Sequence, residues 1–595
     1  MGARRTLIEF PKARSGAGDL WKRIALGSTV GLAVALPLSL AAITGHALTA
    51  SRLMGADSLW SLAFLRDILS RGGHLADWNL AQHADFFPDK FIGAVAYLIS
   101  DRPETWLFAF ESLNLALYFG IAWYCFGLLA RAARAKATGV LALWAALLVT
   151  AMPAFLRSWN VFPAYFQYVG GPAHHFGAYF CALLAAFFAL DSFDNRAQAA
   201  GARLAAACVL MLLCGLSDKL SLALAVPGLV VAAFYAAAMR RHLSRQILLS
   251  CGAMCAAALV AYAASGWLFN GIVEISPAEP HFGIVRIEQQ IRYLLLSLLM
   301  PPPSAATLSL SGVILPVRYH WTGLADLLRA LDPIQTALSA AAFIFVAASA
   351  LVYARQALAT LRMRGRPERE TLSEPHTYIV YLVASTLLLP ATLMVGGVLY
   401  SQGVELYLFP AAYGVLWALA AKLCLRAAPT LTRTQLAGAT IATGLLFSFL
   451  PIDRVQPPFA PAPQPPLARC LEEFGKTRAL RLGLGAHWDT YPVEFATEGR
   501  IVVRAVAGIA QISHWVDSYA WYGPRMDGGL YTFIVESEEI DTDGLAREIG
   551  PPLETLACSA LGPGFSTRTI LVYDRLRAER LTAWIEDQYR RGEHR

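Results

Sequence analysis

Residues 55–91 read GADSLWSLAFLRDILSRGGHLADWNLAQHADFFPDKF, and the rest of the chain takes its meaning from them. The stretch follows the apolar run 24–44 and holds Asp57, Asp67, Asp77, Asp85 and Asp89, interleaved with Trp60, Trp78, Phe86 and Phe87. Carboxylates act as general bases, and flat aromatic faces suit a ring with one apolar side, such as a sugar. DSLWSLAFLRDIL carries apolar residues at helical spacing, which predicts a helix beginning at Asp57. A loop of this composition beside an apolar run is expected at a membrane surface.

Composition supports that setting. The chain has 595 residues, 56% hydrophobic and 15% charged, where a soluble protein carries about a quarter charged residues. One membrane crossing takes roughly 20 apolar residues, and the sequence offers that length many times. The class is a polytopic α-helical membrane protein. The net charge of +7 does not imply a nucleic-acid partner, because Lys and Arg cluster in short loops between apolar runs.

Those loops orient the chain. A basic leader, 1–23, carries Arg4, Arg5, Lys12, Arg14, Lys22 and Arg23, which places it in the cytoplasm. The run 24–44 exceeds the apolar core of a signal peptide and reads as an uncleaved anchor, so the loop 45–105 lies outside. Further spans are expected at 106–130, 137–156, 173–190, 204–216, 220–239, 246–268, 334–353, 377–397, 407–425 and 434–451, about eleven in all. Every basic loop then falls on the inner side, including RQALATLRMRGRPERE at 355–370. The segment 269–333 is a second outer loop, and its run IRYLLLSLLM is half a span long, as in an interfacial or re-entrant helix. The transmembrane part thus covers 24–451. A Pro-rich linker, 452–466, leads to a small extracytoplasmic α/β domain, 467–595, with strand-like RIVVRAV, YTFIVES and STRTILVYD. Seven of nine cysteines lie in or beside apolar runs, whereas Cys470 and Cys558 stand alone in this domain and are a candidate disulfide.

Each candidate site residue has a plain alternative. Asp57 is a general base or a helix cap. Asp85, between Ala84 and Phe86, has no ready structural duty. Asp89 and Lys90 follow Pro88 at a helix start, so Asp89 is first-turn chemistry or a substrate contact, and Lys90 faces a lipid phosphate or pairs locally. Trp60 is a candidate substrate face. Asp67 and Arg71, four apart, are expected to form a solvated ion pair. His174 and His175 open a span at the outer edge and could join Asp57 or Asp85 around a divalent cation, although adjacent helical residues point apart. Asp218 and Lys219, in a tight turn between spans, form a mutual pair or offer Lys219 to a phosphate. Arg286 and Arg292 in the second outer loop are candidate phosphate clamps, and Glu405 at the mouth of a late span is a cap or a substrate contact. No Walker loop, GxGxxG, nucleophile elbow or HExxH occurs, so no nucleotide is expected.

The layout resembles the GT-C superfamily of integral-membrane glycosyltransferases. The resemblance rests on a basic leader and single span running into GADSLWSLAFLRDILSRGG, on FFPD, on the turn GLSDKLSLALAVP, on ELYLFPAAY and on an outer C-terminal domain. It implies a polyprenyl-phosphate sugar as donor, an envelope glycan, lipid or protein as acceptor, and inverting transfer at the outer face of a bacterial inner membrane, with Asp57 as base. Two positions depart from the family pattern. Ser58 follows Asp57 where many members carry Glu, and Glu405 stands where many carry Arg before the late Tyr-Leu-Pro element. The competing readings are a lipid-linked glycan transporter or flippase, a surface-glycan ligase or polymerase working from 269–333, and an inactive anchor for the C-terminal domain.

Overall fold

A computed structural model of the protein describes residues 56–80, 85–158, 175–193, 200–240, 242–269, 274–275, 333–362, 370–395, 404–448, 465–478, 480–513, 516–524, 529–558 and 568–592. The leader, the expected span 24–44, His174, Arg286 and Arg292 lie outside them, as do the side chains of Asp57 and Glu405.

The first loop opens with α1 (Ala56–Ser70). Its apolar residues Leu59, Leu62, Ala63 and Leu65 are buried, and the helix ends where Gly72 adopts φ +73° and Gly73 N–H returns to the Asp67 carbonyl. Glycine takes that left-handed conformation without a Cβ penalty. Strand β1 (Trp78–Leu80) follows, then a wide helical turn (Phe86–Lys90) and the short α2 (Phe91–Ile99).

Ten helices come next in the described residues: α3 (Pro103–Ala132), α4 (Thr138–Ser158), α5 (Phe176–Asp191), α6 (Ala200–Ser217), α7 (Leu220–Arg240), α8 (Arg245–Phe269), α9 (Pro333–Arg362), α10 (Glu370–Val395), α11 (Val404–Thr430) and α12 (Arg433–Ser448). They occupy the stretches expected as spans two to eleven. By length and composition, α3, α6, α7, most of α8 and residues 344–362 of α9 are able to cross a membrane. An aromatic knot joins α3, α5 and α11: Trp417 donates its indole N–H to the Tyr118 hydroxyl at 2.7 Å and stacks on Phe126 at 4.8 Å, while Phe176 meets Tyr118 and Tyr413 edge-on.

The C-terminal part has its own sheet. Helix α13 (Pro466–Gly475) precedes β3 (Leu482–Gly485), α14 (His487–Ala496), β4 (Val502–Ala507), β5 (Gln511–Ile512), β6 (Asp517–Ser518), β7 (Phe533–Val535), α15 (Thr542–Ile549), β8 (Glu554–Cys558), β9 (Arg568–Val572) and α16 (Arg575–Arg591). The strand order is β5-β4-β3-β7-β9-β8, with β3 parallel to β4 and β7 and the outer pairs antiparallel. A disulfide joins Cys470 on α13 to Cys558 at the end of β8, 88 residues apart. Closing a loop of that length removes roughly 4–5 kcal/mol of chain entropy from the unfolded state.

This sheet does not hang free of the rest. β1 pairs antiparallel with β6 (Trp78 opposite Ser518, Asn79 opposite Asp517) and parallel with β2 (Glu274–Ile275), so three remote parts of the sequence share one small sheet. Tyr491, Phe495 and Val516 enter the same apolar core as Leu59, Trp60 and Trp78. The expected solvated pair Asp67–Arg71 is not formed. Asp67 is buried and accepts indole N–H groups from Trp78 and Trp521, while Arg71 reaches Glu494 at 3.4 Å. The C-terminal domain adds the Trp521 donor to the one that Trp78 of the first loop supplies, so both oxygens of the buried carboxylate are satisfied without the exposed arginine.

Candidate active site

The wide turn Phe86–Lys90 is where the polar residues of the first loop and the membrane helices meet. Asp85 enters it at φ +49° and Phe87 is extended, so the turn bends sharply, and the Phe87–Pro88 peptide is cis. Two bonds pin it to the end of α6: Asp85 N–H donates to the Ser217 carbonyl at 3.3 Å, and Phe87 N–H donates to Ser217 Oγ at 2.8 Å. On its other side the turn presses against the first turn of α5. A Cβ at Gly177 would collide with Asp89 Oδ1 and Pro88 Cγ, so glycine is needed for the approach. Asp89 therefore places its carboxylate at a helix N-terminus, where the backbone dipoles favour an anion. Gly177→Ala is expected to force the turn off α5, at a cost of about 1–3 kcal/mol. A melting midpoint and an activity both equal to wild type in detergent would show that this approach matters to neither.

Lys90 closes the turn and is 6% exposed. Its ammonium donates to Ser61 Oγ at 2.7 Å and sits 3.4 Å from the centre of the Trp60 ring, both on α1. Burial pulls its pKa down to about 8, against the pull of Asp85 and Asp89, which raise it. The group is thus a cation at neutral pH, held between an aromatic face and two buried carboxylates. The backbone of Asp57 lies in the first turn of this same helix α1.

The turn between α6 and α7 completes the cluster. His175, at φ +59°, is hydrogen-bonded through its Nδ1 to an Asp218 carboxylate oxygen at 2.7 Å. The other Asp218 oxygen caps α7 by accepting Leu220 N–H at 2.9 Å. The expected Asp218–Lys219 pair is replaced by this one: Lys219 is exposed and lies 5.4 Å from the Tyr262 ring. Adjacent residues at a helix start point apart, and the buried histidine is the nearer partner for a buried carboxylate. Among the described residues no group of three His, Cys, Asp or Glu side chains stands close enough to hold a metal ion.

Of the residues singled out in the sequence, the fold gathers Asp85, Asp89, Lys90 and Trp60 at the turn, with His175 at the start of the adjoining α5 and bonded to Asp218 of the α6–α7 turn. Lys219 is exposed beside the Tyr262 ring, and Glu405 lies at the start of α11. Ser61, Ser217 and Gly177 were not legible as partners. Ser61 had a signal, its place as a polar residue within the apolar run of α1.

No protein-family model matches the chain, and no curated relative matches it. Among solved structures the chain is similar end to end to ArnT from Cupriavidus metallidurans. For ArnT bound to undecaprenyl phosphate the TM-score is 0.44 with 13% identity, covering 95% of this chain and 99% of that one. For the apo state the TM-score is 0.45 with 10% identity and the same coverage.

Proposed function

We propose that this protein is a membrane glycosyltransferase that moves a sugar from a polyprenyl-phosphate carrier to an envelope glycan, lipid or protein at the extracytoplasmic surface. The frame is an eleven-span body of GT-C type with its N-terminus in the cytoplasm and its C-terminal domain outside. The observation that carries the reading is Lys90, a buried ammonium fixed to α1 by Ser61 and Trp60 within a turn that packs on the helix bundle.

In the proposed reaction the acceptor hydroxyl oxygen attacks the anomeric carbon. The bond from that carbon to the phosphate oxygen breaks, its electron pair leaves with polyprenyl monophosphate, and the hydroxyl proton passes to Asp57. A single displacement of this kind inverts the anomeric centre. Lys90 faces the departing phosphate and stabilises the charge that grows on it. Asp85 and Asp89 keep Lys90 protonated. The donor is already activated, which agrees with a sequence that holds no nucleotide motif.

The test is purified full-length protein in lipid nanodiscs with a synthetic polyprenyl-phosphate sugar and envelope extract. Release of polyprenyl phosphate together with a new glycosylated product, both absent without the protein, is the expected result. Movement of intact donor between leaflets with no product would replace the transferase by a flippase.

A further inference from the structure

The clasp between the C-terminal domain and α1 points to a second role for that domain. Asp67 lies on α1 ten residues after Asp57, with its carboxylate buried. Each of its oxygens accepts one indole N–H: Oδ2 from Trp78 at 2.8 Å and Oδ1 from Trp521 at 3.2 Å. The two indoles meet edge to face at 5.1 Å. Trp521, from the C-terminal domain, lies under the Arg504 guanidinium at 4.3 Å. Arg504 bonds Glu494 at 2.9 Å, and Glu494 reaches back to Arg71 of the first loop at 3.4 Å. The contacts form a closed circuit that leaves the first loop at Asp67 and returns to it one turn later.

A buried carboxylate with one donor on each side cannot shift without losing a hydrogen bond it has no water to replace. The circuit therefore fixes both the rotation of α1 and its distance from the C-terminal domain. Because α1 is a continuous helix, its pose at Asp67 is its pose at Asp57, about 15 Å upstream at the helical rise. We infer that Asp67 and Trp521 are positioning residues, through which the C-terminal domain sets the catalytic end of α1. The inference rests on the proposed transfer reaction with Asp57 as base.

Trp521→Phe in the full-length protein tests it, since the ring stays and only the N–H donor goes. The expected result is a fall in kcat of about tenfold with KM for the polyprenyl-phosphate sugar within about twofold, because misplacement of a reacting group reaches 10²-fold per ångström. Asp67→Asn should give a fall at least as large, since it also disturbs the Trp78 bond, and the double variant should be no worse than Asp67→Asn alone, because the Trp521 bond is already lost there. Arg71→Gln, on the exposed limb of the circuit, is the variant that decides should Trp521→Phe fail to fold. It is expected to lower kcat about threefold with the melting midpoint retained. Wild-type kcat in the folded variants, beside an inactive Asp57→Asn, would overturn the positioning role. Wild-type turnover in Asp57→Asn would instead overturn the base on which the role depends.

Discussion

Asp57→Asn is expected to lower transfer by about 10²–10⁴-fold while leaving donor binding within about twofold, because an amide cannot take the proton that a general base removes. The substitution keeps the size of the side chain and its place in the first turn of α1, so the helix and the core of Leu59, Trp60 and Leu62 stay packed. Burst-free turnover with synthetic donor, and donor affinity by titration, separate chemistry from binding. A variant that keeps more than about half the wild-type rate shows that another group takes the proton. Asp85 is then the next carboxylate to replace, since it borders Lys90 and stands at a strained left-handed backbone position.

The second large effect belongs to Lys90. Lys90→Met is expected to reduce kcat/KM by about 10²–10³-fold, the usual loss when one stabilising donor is removed from a developing oxyanion. The pH dependence carries more information than the loss itself. With its pKa lowered to about 8 by burial, Lys90 is charged below that value and neutral above it. In the free enzyme kcat/KM should therefore fall above about pH 8. Lys90→Arg should abolish that alkaline limb, because a guanidinium does not deprotonate in this range. A limb that stays in place in the arginine variant assigns it to another group.

Stability moves the other way in the same window. A lysine whose folded pKa lies below its unfolded value binds its proton less tightly when folded, so burial of the ammonium weakens the native state at neutral pH. That cost is relieved as pH rises from about 8 towards 10.5. Activity lost and stability gained together over this interval, both absent in Lys90→Met, would identify Lys90 as the titrating group.

Much of the fold was legible because lipid imposes a simple rule. Apolar runs of membrane length, bounded by basic loops, located ten helices, most of them within about five residues at each end, although α9 runs nine residues past its expected end and α10 begins seven before its expected start. In the C-terminal part, RIVVRAV, YTFIVES and STRTILVYD each hold a strand, and the last amphipathic run is α16. The short strand LGLG and the helix HWDTYPVEFA, with Pro492 inside it, gave no clear period and were missed.

The site was legible by residue type more than by pairing. Lys90, Asp85 and Asp89 stood out as charges beside an apolar run, and the fold keeps them together in one turn. Partnerships across the chain left no trace in the sequence. Asp67 looked like an i, i+4 partner of Arg71, and Asp218 like a neighbour of Lys219, because local spacing is all that one sequence displays. Asp67 instead bonds Trp78 and Trp521, 11 and 454 residues away, and Asp218 bonds His175, 43 residues away. Burial decides such contests, since a carboxylate leaving water takes the donors that packing delivers to it.

The small sheet β2-β1-β6 constrains how the protein can be rebuilt. Because β1 lies between the strand at 274–275 and a strand of the C-terminal domain, neither flank can be exchanged without presenting it with a foreign edge. A chimera that grafts a related tail onto this membrane body would have to carry the matching first loop, from α1 through β1, as well as the strand at 274–275. Evolution faces the same linkage: drift in the tail at Asp517, Ser518 or Trp521 must be answered in a segment more than four hundred residues earlier, or the two halves cease to fit.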